Sequence, residues 1–388
     1  MRKICVISGS RAEYGILKGL IKLIDQDNEL ELQIIASGMH VSERFGNTYK
    51  EILDDNLAIS EMIDIKLISD TPSSVCNSIA IGVKLFSEKF HKLKPDLIVV
   101  LGDRFEILSS VISAMIMKIP IAHIHGGEIT KESFDDNIRH SITKMSHIHF
   151  ASTDIYRNRI IQMGENPKKV FNVGSLGVEN IQLHNQHTIQ ELERFIGKSF
   201  LEKNILITFH PETLNAKSSH LNFKELLVAV SELKNTLLIF TQANSDPGGD
   251  KINRMIMDYV KGTKNSCFVK SFGNNKYLSV MGFVDVVLGN SSSGIIEAPS
   301  LKTPTVNIGN RQLGRIHADS VINVNPISDE ILGAINKIYS KDFLKDQKIF
   351  LNPYEKNNTS KEILKVIKST PLGKILIKDF YDIDNLKL

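Results

Sequence analysis

Apolar residues fall in short runs along the whole chain, with longer amphipathic stretches between them. Ile4–Ser8, Leu32–Ala36, Leu97–Leu101, Ile119–Ile124 and His147–Ala151 lie in the first half. Ile205–Thr208, Thr236–Phe240, Val284–Leu288 and Thr305–Ile308 follow in the second. Each run is short, rich in Ile, Val and Leu, and shows little polar alternation, which predicts strands buried on both faces of a parallel sheet. Between them, Ala12–Asp25 and Arg104–Lys118 have helix length, and in the latter Phe105, Leu108, Ile112 and Met115 recur at helical spacing. Strand and helix in alternation predict an α/β chain with two Rossmann-like, doubly wound domains. The glycines of VGSLGVEN, Val173–Asn180, break the alternation. They divide the chain into a domain over 1–174, a second over 175–365, and a C-terminal helix and tail over 366–388.

Composition narrows the class. The chain has 388 residues, 42% hydrophobic and 23% charged, with 47 Lys+Arg against 44 Asp+Glu and a formal net charge of +3. That length suits two domains with separate cores. The balanced charge argues against a nucleic-acid partner, which would draw basic residues into a patch or arm. No apolar run approaches the roughly 20 residues that span a bilayer. Ser8, Gly9, Arg11 and Glu13 interrupt the N-terminal apolar stretch, so neither a secretory signal nor a membrane partner is expected. Cys5, Cys76 and Cys267 are scattered and suit thiols in a reducing cytoplasm.

Polar residues and glycines collect at strand ends in both halves: Ser8-Gly9-Ser10-Arg11, Gly102-Asp103-Arg104, His125-Gly126-Gly127-Glu128, His210-Pro211 and Gly289-Asn290-Ser291. In open α/β sheets the ligand sits beyond the carboxyl ends of the strands. Two such sheets facing one another would gather these clusters around one cleft. SGSRAEYG offers backbone N–H groups and the Arg11 fork to an anion. GNSSSGIIEAP is the stronger signal: a helix opening on small residues, with Ser291 and Ser292 as hydroxyl donors and Glu297 placed to accept a ribose diol. Arg311 and Arg315 follow a further strand.

The first half supplies acid/base groups. Asp103 ends a buried strand, where a carboxylate needs a partner or a task, and Arg104 stands beside it. His123 and His125, two apart, are expected on one strand face, with Glu128 near. That triplet invites a metal, yet no second pair completes a site, so no metal is expected. Ser133 and Asp136 fit a capping box, which leaves Asp135 to project toward the cleft. His210 could face a diphosphate or simply pack in a loop. Anion contacts on one domain and carboxylates and imidazoles on the other suit a nucleotide-sugar enzyme.

The chain resembles the UDP-N-acetylglucosamine 2-epimerase family, in its hydrolysing branch for sialic or legionaminic acid synthesis. SGSRAEYG, ASGMH, LGDRFE, HIHGGE, DDNIRHSITKMSHIHF, HPET, GNSSSGIIEAP and NIGNRQLGR carry the resemblance in family order. It implies a glycosyltransferase-B type fold whose C-terminal helix returns to the first domain. It implies UDP contacts from Arg11, His210, Ser291, Ser292, Glu297 and Arg311, and sugar contacts from His40, Arg104 and Arg139. Asp103, His125, Glu128 and Asp135 would be catalytic, in an elimination to a glycal followed by hydration. No cofactor is implied, and relatives suggest a homodimer or homotetramer. The implied substrate is UDP-N-acetylglucosamine, giving N-acetylmannosamine. The alternative is a UDP- or GDP-linked N,N′-diacetylbacillosamine, which the His-Gly-Gly-Glu form resembles; animal and some bacterial members carry glutamate in place of His125. LGDR and HGGE make a non-hydrolysing epimerase a poorer fit, the absence of an exposed amphipathic basic helix in the sequence weighs against a glycosyltransferase, and the presence of Asp103, Glu128 and Asp135 weighs against a non-catalytic sensor of nucleotide sugars.

Overall fold

The structure is a computed structural model that describes residues 1–131, 133–212, 216–243, 246–340 and 342–383. Thr213 of the HPET segment and residues 384–388 of the expected tail lie outside the described residues. The first sheet contains β1 (Arg2–Ser8), β2 (Leu30–Ser37), β3 (Glu61–Ile63), β4 (Leu97–Leu101), β5 (Ile121–Ile124), β6 (Ile148–Ala151) and β7 (Val170–Asn172). The second contains β8 (Lys203–Thr208), β9 (Thr236–Thr241), β10 (Ser266–Val269), β11 (Val286–Gly289), β12 (Thr305–Ile308) and β13 (Val321–Val324). Strand order is β3-β2-β1-β4-β5-β6-β7 in one and β10-β9-β8-β11-β12-β13 in the other. The described ladders, among them β1 with β4 and β8 with β11, are parallel. Both sheets follow the doubly wound order, which reverses direction between β1 and β4 and again between β8 and β11.

The apolar runs do what their composition predicts. On β1, Ile4 and Val6 enter the core beneath helices Arg11–Asp25 and Thr359–Ser369, while Cys5 and Ile7 enter the core beneath helices Pro72–Leu93 and Phe105–Ile116. Leu97, Val99 and Leu101 of β4 divide from Ile98 and Val100 in the same way. In the second sheet Ile205 and Ile207 face one core and Leu206 the other. Alternate side chains thus bury on opposite faces, so the positions of a central strand are mostly apolar, and polar ones such as His123 of β5 are buried with partners.

The chain divides into two compact units: 1–128 with 135–179 and 356–388, and 129–134 with 180–355. Helix Thr359–Ser369 belongs to the first. Thr359 Oγ1 donates to the Val173 carbonyl at 2.7 Å, and Lys368 Nζ pairs with Asp27 Oδ2 at 2.8 Å. Segment 129–134 groups with the second unit, where Arg315 Nε donates to the Ile129 carbonyl at 2.7 Å and Nη2 lies 3.3 Å from Thr130 Oγ1. Arg315 is thereby tied to backbone and hydroxyl within its own unit. No helix of the described residues is long and apolar enough to cross a membrane.

Gly289, at the end of β11, has φ +133° and lies so close to the Thr208 carbonyl that a Cβ would fall inside its van der Waals shell. Two central backbones meet there, so neither can yield cheaply. Gly289→Ala is expected to cost about 3 kcal/mol or more, read as a lowered urea midpoint; an unchanged midpoint would contradict this packing.

Candidate active site

Four of the expected residues converge at the carboxyl ends of β4, β5 and β6. Asp103 follows β4, His125 and Glu128 follow β5, and Arg139 projects from helix Asp135–Met145. Arg139 is 3% exposed. Its Nη2 pairs with Asp103 Oδ2, and its Nη1 lies 3.2 Å from Glu128 Oε2. The other Glu128 oxygen accepts from Ser152 Oγ at 2.8 Å and stands 3.7 Å from His125 Nδ1. Burial works against the Arg139 charge, but the Asp103 and Glu128 carboxylates outweigh it and push its pKa further up. One buried cation therefore organises two carboxylates. Their exposures differ: the Asp103 side chain is 19% exposed and that of Glu128 3%. Asp135 is buried in the first turn of the helix that carries Arg139.

The backbone explains how residues so near in sequence diverge. β5 ends at Ile124, and His125 has φ +63°, in the left-handed region. Strand alternation stops there, so the expectation that His123 and His125 share a face fails. His123 is instead wholly buried between the Gly102 carbonyl (2.7 Å from Nε2) and Thr143 Oγ1 (3.2 Å from Nδ1). Gly127, at φ +76°, passes so close to the Tyr156 carbonyl that a Cβ would lie 2.5 Å from it.

Two residues expected at the sugar are committed elsewhere. His40 has no exposed surface, and its ring nitrogens lie 2.9 Å from Ser8 Oγ and 3.0 Å from Thr48 Oγ1. It ties the end of β1 to the segment that follows β2. Arg104 makes a fork to the buried Glu106, 3.1 Å from Nε and 2.9 Å from Nη2. Its charge offsets that carboxylate. Arg11 opens helix Arg11–Asp25, where its charge bears on His40 and Glu51.

In the second unit the loops after β8, β11 and β12 meet at Asn290, which is fully buried. Its Oδ1 accepts from the His210 amide at 2.7 Å and its Nδ2 donates to the His210 carbonyl at 2.9 Å. Its own carbonyl accepts from Arg311 Nη1 at 3.2 Å and Gln312 Nε2 at 2.8 Å. Ser291 Oγ, Ser293 Oγ and Tyr277 OH form a hydroxyl chain with spacings of 3.0 and 2.7 Å. Ser292 precedes a helix of one turn, Ser293–Ile296, and Glu297 ends it, 8% exposed. The expected helix is thus a single turn, and the hydroxyls and guanidinium supply most of the polarity. Ser152, Tyr277 and Gln312 were not singled out from the sequence, and Asn290 was named there only within its strand-end cluster. Ser152 ends a predicted strand, but nothing local marks its partner.

Two Rossmann-like domains, with acid/base groups on the first and hydroxyl, amide and guanidinium groups on the second, define the class: an enzyme of the glycosyltransferase-B type fold. The family model for UDP-N-acetylglucosamine 2-epimerase matches residues 22–368. The chain is 44% identical over 386 residues to a GDP/UDP-N,N′-diacetylbacillosamine 2-epimerase (hydrolyzing) of Campylobacter jejuni, covering 98% of this chain and 99% of the relative. It is 41% identical to polysialic acid biosynthesis protein P7 of Escherichia coli, covering 99% and 98%. The solved Neisseria meningitidis UDP-GlcNAc 2-epimerase bound to UDP-GlcNAc shares the fold, with TM-score 0.77, 18% identity and coverage of 95% and 100%. The chain belongs to the UDP-N-acetylglucosamine 2-epimerase family, in its hydrolysing branch.

Burial holds His40 and His123 neutral, lowering their pKa values from 6.5 to about 4 and about 3, and His147 likewise to about 4. Unfolding frees these rings to take up protons below pH 6.5, so their stabilisation is full above that pH and is lost as pH falls toward 4 and 3. Glu13 acts in the opposite sense, because burial raises its pKa to about 8 and the folded form takes up its proton first. Between pH 7 and 5 each histidine withdraws on the order of 1–2 kcal/mol, and together they outweigh Glu13. Urea midpoints are therefore expected to be lower at pH 5 than at pH 7; an equal or higher midpoint at pH 5 would mean the rings are not held neutral.

Proposed function

We propose that this protein is a hydrolysing 2-epimerase whose substrate is a nucleoside diphosphate-linked N,N′-diacetylbacillosamine. The observation that carries the chemistry is the buried Arg139 gripping Asp103 and Glu128. The 44% identity to an enzyme named for that sugar, against 18% to the structure that holds UDP-GlcNAc, supports the substrate. This reverses the order in which the sequence alone ranks the two sugars.

Roles follow from exposure and hydrogen bonding. Asp103, the more exposed carboxylate with Arg139 to keep it ionised, is the base that takes the proton from C2. As that C–H bond breaks, its electron pair forms the C1–C2 double bond and the nucleoside diphosphate leaves with the C1–O pair. Glu128 has both oxygens occupied by Arg139, Ser152 and the neighbouring His125, which makes it an orienting anion and a poor base. Water then adds at C1, and a proton returns to C2 on the opposite face, from His125 or Asp135. In the second unit Ser291, Ser292 and Arg311, with His210, meet the negative charge of the departing diphosphate, and Glu297 takes the ribose hydroxyls.

A second reading, UDP-N-acetylglucosamine to N-acetylmannosamine, is favoured by the 41% identity to a protein named for polysialic acid biosynthesis. Proton NMR in D₂O separates the two. The diacetylated sugar nucleotide is expected to give free nucleoside diphosphate and a free C2-epimerised sugar carrying deuterium at C2, with slower or no turnover of UDP-N-acetylglucosamine. The reverse preference transfers the assignment to the second reading, and epimerisation without diphosphate release sinks the hydrolytic reaction. Asp103→Asn is expected to lower kcat by about 10²–10⁴-fold with nucleotide binding retained; near wild-type turnover removes Asp103 as the base.

A further inference from the structure

His123 takes no part in these proton transfers, yet it touches both elements that carry Asp103 and Arg139. β5 sets it between the loop after β4 and helix Asp135–Met145. The Gly102 carbonyl, 2.7 Å away, can only accept, so Nε2 carries the ring proton. On the other side Nδ1 lies 3.2 Å from Thr143 Oγ1, which is also 3.0 Å from the Arg139 carbonyl one helical turn back. Asp103 follows Gly102 in the chain, and the Arg139 guanidinium closes on its carboxylate. Thr143 has a single hydroxyl proton, shared between Nδ1 and the Arg139 carbonyl, so the contacts run from Asp103 through Gly102, His123, Thr143 and Arg139 back to Asp103 with one proton common to two acceptors.

Gly126 belongs to this arrangement. A Cβ there would stand 2.9 Å from Thr143 Oγ1 and 3.0 Å from His123 Nδ1, so the bare glycine leaves the ring and hydroxyl room to meet. Burial lowers the imidazole pKa to about 3, which keeps one nitrogen a donor and the other an acceptor throughout the neutral range. A histidine that merely filled the core would need partners, but those partners need not be the peptide before the base and the turn after its arginine.

We propose that His123 is a positioning residue that fixes the Gly102–Asp103 peptide against the Arg139 helix and so aims the Asp103 carboxylate. The inference rests on Asp103 as the base, as argued above. A misplacement of about 1 Å at a reacting group costs on the order of 10²-fold in rate, far more than satisfying one buried ring would suggest.

The test compares kcat and KM for diphosphate release by the wild type, His123→Phe, His123→Gln and Thr143→Val. His123→Phe is expected to lower kcat by about 10–100-fold while KM stays within about twofold. His123→Gln, whose amide nitrogen can donate to Gly102, is expected to recover most of that loss, and Thr143→Val to lower kcat several-fold. A folded His123→Phe with wild-type kcat overturns the proposal, as does a Gln variant no better than Phe. Should His123→Phe fail to fold, Thr143→Val against Thr143→Ser decides by the same split of kcat from KM. A wild type inactive on either sugar nucleotide would strike at the functional reading instead. In that event ¹⁵N spectra of histidine-labelled protein decide: a slowly exchanging Nε2–H, lost in His123→Gln and unchanged from pH 7 to pH 5, supports the ring, and its absence overturns it.

Discussion

A guanidinium with almost no contact with water is an expensive thing to fold. Desolvating one ion costs several kcal/mol even after relaxation, and the cost is offset only when counter-charges and hydrogen bonds meet it at close range. Arg139 meets that condition through Asp103 and Glu128, and Glu128 in turn through Ser152. None of these groups could be buried alone. Two carboxylates without the cation would repel and take up protons, and the cation without them would seek the surface. The cluster is all-or-none, and it is assembled from the ends of three strands and one helix. The parallel sheet of the first unit has to be in register before the site can exist.

The second unit gathers its polar groups under a different electrostatic rule. Asn290, Gln312, Tyr277 and the serines are neutral, and Arg311 adds a positive charge. A neutral network costs little to bury once each donor and acceptor is matched. A diphosphate brings its own negative charge, so its host needs donors rather than a balanced ion cluster. A group that must accept a proton from carbon needs an ionised carboxylate kept ionised. The two clusters thus differ in charge as well as in position in the chain.

How much of this was legible in the sequence depends on which kind of order is asked for. The nine apolar runs named from the sequence all correspond to strands. The four strands without such a run, β3, β7, β10 and β13, are the edges of the two sheets. An edge strand is short and only part-buried, as Glu61–Ile63 and Val321–Val324 show, so it need not be uniformly apolar. Loop chemistry at central strand ends was equally plain, because glycine and polar residues directly after an apolar run have few other uses. Pairing was not. Arg139 lies 36 residues from Asp103, and Ser152 lies 24 from Glu128, spacings with no periodic signature. The partners of His40 and Arg104 were hidden for the same reason: nothing local announces that Ser8 and Thr48 meet the one, or that Glu106 meets the other.

His125 shows how a single side chain can adjust such a cluster without dismantling it. Its left-handed backbone costs a non-glycine residue about 1–2 kcal/mol, and the fold retains it, flanked by Gly126 and Gly127, where the chain must turn sharply past β6 and Tyr156. The turn, rather than the side chain, is the fixed feature. A glutamate there, as in the animal members of the family, would set a third carboxylate beside Glu128 and Asp103 around one arginine. A histidine at the same place leaves the two carboxylates more nearly balanced by Arg139 and sets an imidazole nitrogen 3.7 Å from Glu128. The exchange leaves the Arg139 clasp on Asp103 and Glu128 intact.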